Sequence, residues 1–445
     1  MDESATARPP DCGDGHAVAY VLKGFPRRSE TFIASEIHRL EQLGVPLRLY
    51  VLKPADEDDR HPIVDRIHAQ PRYLPPTSLL SGVSFPQWLR RNVPQFLPGL
   101  ARVARRHPRG LAKAAGLAAA QTWRARVKGS RALPKVYVRE LLHAVALADE
   151  LRAAPDVRHL HAHFAHGCTT VTWLASEITG LPFSFTGHAK DIYSPRLNPA
   201  GLLRRKLLAA RFAVTCTEAN RRHLLELAPE ATVHRIYHGL NAEFTRLLEG
   251  GVERPAPNGL RVLGVGRLVA KKGFDTLVDA CGELERRGVP FEAVLAGPDD
   301  DAAAVIRTRI ADAGLQEHIR LTGQLSQAEL LEEYRRASAL CLPCRVLDNG
   351  DRDGIPNVLA EAMACGTPVV TTAVSGIPEL VRDDVNGLLV APDDPAAVAD
   401  AIQRVHGDRE LSARLSDGAR ATIRDAFDGD QLTGTLARLF REALA

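Results

Sequence analysis

No uninterrupted apolar stretch in this 445-residue chain approaches the roughly 18 residues a bilayer-spanning helix requires, so a soluble or surface-bound protein is expected. The opening residues are acidic and proline-bearing and lack an apolar core, which argues against a secretory signal. Aromatic residues make up only 5% of the chain, leaving aliphatic packing to fill the interior. Cysteine is scarce and odd in number (Cys12, Cys168, Cys216, Cys281, Cys341, Cys344, Cys365), the pattern of reduced thiols in a cytoplasmic protein. Cys341-Leu-Pro-Cys344 has a metal or redox spacing, but no second pair or nearby histidine completes a site, and buried strand thiols are expected there.

Acidic residues are missing altogether between Arg66 and Arg139, a stretch that carries Arg90, Arg91, Arg105, Arg106 and Arg109 among other cations. A one-signed run of this length attracts phosphate-rich partners. Without interleaved stacking aromatics, nucleic acid is not the expected one. Helical pieces at Trp88 to Phe96 and Leu100 to Arg106, cut by Pro86, Pro94, Pro98 and Pro108, mix the arginines with Val93, Phe96, Leu97, Leu100 and Val103. Two expectations follow: an amphipathic element lying on an anionic membrane face, or a solvated helical insertion packed on its own domain.

The chain is too long for one core, and two domains are expected. Ala17 to Leu22 reads as a strand, Lys23 to Arg28 as a Gly/Pro loop, Glu30 to Leu43 as a helix stopped by Gly44, and Val45 to Leu52 as a second strand. The rhythm returns at His159 to Phe164, Thr169 to Thr179, Phe183 to Thr186, Ala213 to Cys216 and Val233 to Tyr237. Glu249 to Asn258 is the expected linker. A second series follows, with strands at Arg261 to Val265, Glu292 to Ala296, Ile319 to Leu321, Ala339 to Leu342, Pro368 to Thr371 and Gly387 to Val390. Ser326-x-x-Glu329 and Asp394-Pro395 are helix starts, and Gln431 to Leu444 is a closing helix. Alternating strands and helices predict an α/β protein with two Rossmann-like, doubly wound parallel-sheet domains. The expected bounds are residues 15–248, with a basic helical insertion at about 60–140, and residues 259–426, with 427–445 crossing back to the first domain.

Chemistry concentrates in the second half. Gly264-Val-Gly266-Arg267-Leu268-Val-Ala-Lys271-Lys272-Gly273 follows a strand and precedes a helix beginning near Phe274. Glycine lets backbone approach a ligand, and a helix start offers free amides to an anion. Arg267 can grip a diphosphate with a fork, and Lys272 adds a compact charge. Further on, Asp353-Gly354-Ile355-Pro356-Asn357-Val358-Leu359-Ala360-Glu361 turns into a helix, leaving the amides of Asn357 and Val358 available to phosphate. Asp353 is placed to meet sugar hydroxyls, and Glu361, one turn deeper on the same face, to meet a ribose diol.

In the first half, Phe25-Pro26-Arg-Arg-Ser29-Glu30-Thr31-Phe32-Ile33, His161-Ala-His163-Phe164 and Phe185-Thr186-Gly187-His188-Ala189-Lys190-Asp191-Ile192-Tyr193 follow strand ends. Tyr237-His238-Gly239-Leu240-Asn241 and Ala362-Met-Ala-Cys-Gly366-Thr367-Pro368 complete a set that resembles the retaining glycosyltransferases of family 4, with the GT-B fold, in particular exopolysaccharide and colanic-acid-type enzymes. The resemblance spans almost the whole chain. It implies two domains facing across a cleft, the donor pyrophosphate on Arg267 and Lys272, and the family's two acidic residues at Asp353 and Glu361. The first of these is usually glutamate, and here it is the shorter Asp353. The family histidine near the donor sugar falls on His188, which a purely structural role would also explain. Asp191 either orients that loop or caps its turn. Gly24 and the first turn, with Ser29 as a possible helix cap, face the donor phosphate or the acceptor, and Ser375-Gly376-Ile-Pro378-Glu379 either abuts the phosphates or does not.

The implied reaction moves a sugar from a UDP- or GDP-linked donor to a hydroxyl of a lipid-linked or saccharide acceptor, with retention and without a cofactor. Asp351-x-Asp353 matches a metal-binding pattern, but Arg267 and Lys272 already neutralise the pyrophosphate, and no metal site is expected. Asp299-Asp300-Asp301 reads as a solvated loop with a helix cap. An epimerase-like enzyme and a non-catalytic membrane- or polysaccharide-binding scaffold are the alternatives.

Overall fold

The computed structural model describes residues 15–27, 31–54, 62–126, 135–240, 244, 246–248 and 259–445. Cys12, Ser29, Glu30, Asn241 and the expected linker at Glu249 to Asn258 lie outside the described residues. The chain divides into two compact units: Met1–Thr215, Arg221–Ile236 and Asp430–Ala445 form one, Cys216–Asn220 and Tyr237–Gly429 the other.

The first unit is built on β1 (Ala17–Phe25), α1 (Thr31–Gln42), β2 (Leu47–Pro54), β3 (Arg72–Tyr73), α2 (Phe85–Asn92), α3 (Leu97–Arg106), α4 (Pro108–Arg124), α5 (Val136–Leu151), β4 (Val157–His163), α6 (Gly167–Thr179), β5 (Phe183–Gly187), α7 (Ala189–Tyr193), α8 (Leu202–Ala209), β6 (Phe212–Thr215), α9 (Glu218–Leu227, from Arg221 onward) and β7 (Val233–Arg235). Its 7-stranded parallel sheet runs β3-β2-β1-β4-β5-β6-β7. Of the nine residues of β1, only Lys23 is exposed, because a parallel strand must bury both faces. Gly24 therefore lies inside β1, paired with Lys53, and the turn after the strand begins at Pro26 rather than at Lys23.

The basic insertion is more ordered than its prolines suggest. Pro86, Pro94, Pro98 and Pro108 sit in the first positions of their helical segments, where the missing N–H costs nothing, so they start helices instead of cutting one. Trp88, Phe96, Val103, Ala114 and Ala118 point inward and join a core with Leu142, Val145 and Leu174. Burying a side chain the size of Phe96 or Val103 contributes about 1.5–3 kcal/mol, so these two are committed to the protein interior, whereas Leu97 stays 50% exposed. Carboxylates from outside the acid-free stretch neutralise part of its charge: Arg102 holds Asp149 at 2.6 Å and Lys113 holds Glu177 at 2.6 Å. Arg90, Arg91, Arg105, Arg106 and Arg109 are exposed and have no carboxylate partner among the described residues.

The second unit comprises β8 (Leu260–Val265), α10 (Phe274–Arg286), β9 (Phe291–Ala296), α11 (Ala303–Asp312), β10 (Ile319–Gly323), α12 (Gln327–Arg336), β11 (Ala339–Leu342), α13 (Asn357–Ala364), β12 (Val369–Thr372), α14 (Ile377–Leu380), β13 (Leu388–Val390), α15 (Pro395–Gly407) and α16 (Arg409–Ala426). Its 6-stranded parallel sheet runs β10-β9-β8-β11-β12-β13. The last helix, α17 (Gly429–Leu444), places Leu436, Ala437 and Phe440 in the core of the first unit. Both sheets share one doubly wound order, and in each the strand order reverses beside the first strand, between β1 and β4 and between β8 and β11. Ligands of such sheets bind outside the carboxyl ends of the strands at that reversal. Among the described residues, no helix is long and apolar enough to cross a membrane.

Candidate active site

In the second unit the two loops at the reversal carry the predicted donor residues. After β8, the amide of Gly266 donates to Ala296 O at 2.9 Å and that of Leu268 to Pro298 O at 3.1 Å, which ties the loop to the end of β9. A single 3-10 turn, Ala270–Lys272, then leads to Gly273. Gly273 has φ +70°, and a Cβ there would stand 1.9 Å from Pro343 O, so only glycine lets the β8 loop touch the backbone that follows β11. Gly266 makes room in the same way for the Lys272 stem, whose Cε lies 3.2 Å from where a Cβ would sit.

The two loops are joined by charge. Lys272 Nζ lies 2.7 Å from Asp353 Oδ2, and Lys271 Nζ lies 3.1 Å from both Asp351 and Asp353. Burial pushes the Asp353 carboxyl up, but the two ammonium groups overrule it and bring it to about 2, so it is a firm carboxylate. Burial likewise works against the Lys272 charge, yet Asp353 wins and holds its pKa above the usual lysine value. Arg267 is half-exposed and is held at 2.7 Å by Asp300, so the acidic loop after β9 contributes an Arg267 partner; the helix beyond it, α11, starts from Ala302 without a side-chain cap.

Pro356 precedes α13, whose first amides, Asn357 and Val358, have no intrahelical acceptor, as at any helix start. Glu361 lies one turn deeper and accepts from the Tyr334 hydroxyl at 2.8 Å. Burial raises the Glu361 pKa, with the Tyr334 bond and the Lys272 charge pulling against it. At Gly354 a Cβ would approach Thr217 Cγ2 to 3.3 Å. In the turn before α14, Ser375 adopts φ 53°, and its buried Oγ has no hydrogen-bond partner among the described residues. Glu379, in α14, serves the structure, accepting from the amides of Glu218 and Ala219 of the same unit at 2.7 and 2.9 Å.

In the first unit, His188 follows β5 and stands at the start of α7. Asp191 accepts from the His188 amide at 2.9 Å and also from the Ala165 amide, so it both caps the turn and ties it to the loop after β4. The His188 ring is half-buried, against Phe32, Phe164 and His163, with its Nε2 2.8 Å from His163 Nε2. Residues 252–422, which hold the whole Arg267 to Glu361 arrangement, match the family model for glycosyl transferases group 1. A D-inositol 3-phosphate glycosyltransferase of Frankia alni is 30% identical over 292 residues, 58% of this chain and 68% of that protein. The chain belongs to the group 1 glycosyl transferases.

As a glycosyltransferase it is also 28% identical over 410 residues to the amylovoran biosynthesis glycosyltransferase AmsK of Erwinia amylovora, covering 91% of this chain and 94% of that one. Its fold is the GT-B fold of the solved Anabaena protein HepE in complex with UDP and glucose, with a TM-score of 0.66 at 16% identity over 96% of this chain and 100% of that one. Three residues of the candidate site escape sequence reasoning. Lys271 stands inside the motif but is told apart from Lys272 only by the direction the 3-10 turn gives it. Tyr334 lies on α12, and nothing in its sequence context points to Glu361. Arg345 grips Asp275 at 2.8 and 3.0 Å, fastening the loop after β11 to the start of α10.

Proposed function

We propose that this glycosyltransferase draws its sugar from a nucleoside diphosphate sugar bound in the second unit and passes it, with retention, to a saccharide or lipid-linked hydroxyl in exopolysaccharide assembly. The observation that carries this is Lys272: one part-buried ammonium, 2.7 Å from Asp353, acts on both Asp353 and Glu361, beside the open start of α13. That spacing suits a pyrophosphate at Lys272, Arg267 and the Asn357 and Val358 amides, with the ribose diol on Glu361. As the bond to the departing phosphate breaks, negative charge grows on its oxygens, and these fixed groups stabilise it. We assign the acceptor's proton to the leaving phosphate oxygen, and to His188 a hydrogen bond with a hydroxyl of the sugar. Lys271 bridges Asp351 and Asp353, so an ammonium stands where a divalent cation would be sought. The HepE complex holds UDP and glucose, which makes uridine the first base to try. Isothermal titration with UDP- and GDP-sugars is expected to give saturable binding to one class, and turnover is expected to survive a chelator. Loss of turnover restored by magnesium would overturn the metal-free reading, and silence from every nucleotide sugar would overturn the donor itself.

The five exposed arginines that have no carboxylate partner among the described residues favour a second contact, with an anionic membrane face on the cytoplasmic side. Since Phe96 and Val103 are buried, this contact is electrostatic: flotation with anionic vesicles is expected, weakened by salt and by changing Arg105 and Arg106 to Glu. Equal flotation on neutral vesicles would rule it out.

A further inference from the structure

A line of four side chains runs from α1 to the His188 loop inside the first unit. Tyr20, fully buried on β1, donates its hydroxyl proton to Glu36 of α1. The same hydroxyl oxygen lies 3.0 Å from Nδ1 of His163, at the end of β4. His163 is fully buried as well, and its Nε2 meets Nε2 of His188 at 2.8 Å. The two rings have centroids 4.9 Å apart and planes inclined by 25°, the arrangement of imidazoles joined edge to edge by a hydrogen bond. Neighbouring His161 stays out of the line, because Ser184 and Thr186 engage its two nitrogens at 2.8 and 3.1 Å.

Hydrogen bonds in such a line have a direction. With Glu36 ionised, Tyr20 must donate to it, and the Tyr20 oxygen then accepts Nδ1–H of His163. His163 Nε2 is left as a lone pair and accepts Nε2–H of His188, which leaves His188 Nδ1 as an acceptor. We propose that Glu36, acting through Tyr20 and His163, dictates which nitrogen of His188 carries the proton. Glu36, Tyr20 and His163 are positioning residues, and their role rests on reading His188 as the group that meets the sugar. A proton taken up at His188 Nδ1 is balanced by three hops: Nε2–H to His163 Nε2, Nδ1–H to the Tyr20 oxygen, and the tyrosine O–H to the Glu36 carboxylate. Glu36 ends neutral, and so do both imidazoles.

The groups facing Glu36 are Tyr20 from β1, His163 from β4 (3.7 Å from its Nδ1) and Arg39 from its own helix. Burial raises Glu36 to about 7, against the opposing pull of Tyr20 and Arg39, so the line is poised to reverse near neutrality.

Nitrogen NMR of histidine-labelled enzyme, with His188→Gln and His163→Gln used to assign the signals, tests this without substrate. Well above neutrality, His188 is expected to show a bare Nδ1 and a protonated Nε2, with the opposite pattern at His163. Both should invert together as the pH falls through the Glu36 transition. In Glu36→Met the tyrosine hydroxyl has only His163 to donate to, so His188 is expected in the inverted form at every pH, with kcat lowered about tenfold and donor KM unchanged. Tyr20→Phe, which removes only the hydroxyl, is expected to uncouple both rings from Glu36, so that they no longer invert at the Glu36 transition. A protonated His188 Nδ1 in the alkaline wild type, or a Glu36→Met spectrum like that of the wild type, overturns the proposal. Should His188→Ala transfer sugar at the full rate while the spectra behave as described, the relay stands and the sugar-facing role of His188 falls.

Discussion

Lys272→Ala is expected to lower kcat/KM by about 100- to 1,000-fold, the loss that follows removal of one fixed group from the charge that develops in a transition state. Two effects combine in that variant, and they separate by chemistry. The ammonium is lost from the pyrophosphate, and Asp353 is left with Lys271 at 3.1 Å as its one remaining cation among the described residues. Removing one partner of a buried pair destabilises by several kcal/mol when nothing replaces it, and Lys271 holds that cost to about 1–2 kcal/mol here. Lys272→Met keeps the stem that packs over Gly266 and should match the alanine variant in lost turnover while melting closer to wild type. Asp353→Asn provides the opposite control. If Asp353 serves only to hold the lysines, turnover survives the change; if its carboxylate also meets the sugar, turnover falls with donor binding retained. Rates near wild type for Lys272→Met would remove the ammonium from the phosphate site.

What could be read from the chain and what could not divide along a physical line. The strands of both sheets announce themselves as short apolar runs, because parallel strands bury both faces, and their order follows from the alternation with helices. The placement of Arg267, Lys272, Asp353 and Glu361 was legible because each lies within a few residues of a strand end or helix start, where local geometry governs exposure. Contacts between distant segments were not. Nothing near Tyr334 announces that its hydroxyl serves Glu361, and nothing near Glu379 announces a helix start at Glu218. The prolines misled for another reason: residue type alone does not distinguish a proline that ends a helix from one in its first turn, and here the first turn wins at Pro86, Pro98 and Pro108. Apolar residues among the arginines left two readings open, since amphipathic spacing shows that one face is apolar but not what covers it. α5, on the far side of that face, covers it.

Glu361→Gln should separate binding from chemistry. A carboxylate can accept from both hydroxyls of a ribose diol, and each charge-assisted bond contributes about 1.5–3 kcal/mol, so loss of the charge should raise donor KM by about 100-fold. The ribose lies away from the bond being broken, and its contacts are the same before and during the reaction, so kcat should change little. Tyr334→Phe removes the hydroxyl that orients Glu361 at 2.8 Å and should raise KM by a smaller factor, near tenfold or about 1.4 kcal/mol. Acidity supplies a third arm. Burial raises the Glu361 pKa despite the Tyr334 bond and the Lys272 charge, and only the ionised form accepts both hydroxyls. Donor KM of the wild type should therefore rise as pH falls through that raised value, while KM of Glu361→Gln, which has no proton to gain there, should stay level over the same range. A wild-type KM indifferent to pH, or a glutamine variant whose kcat collapses while KM holds, would move Glu361 from the ribose to the reacting bond.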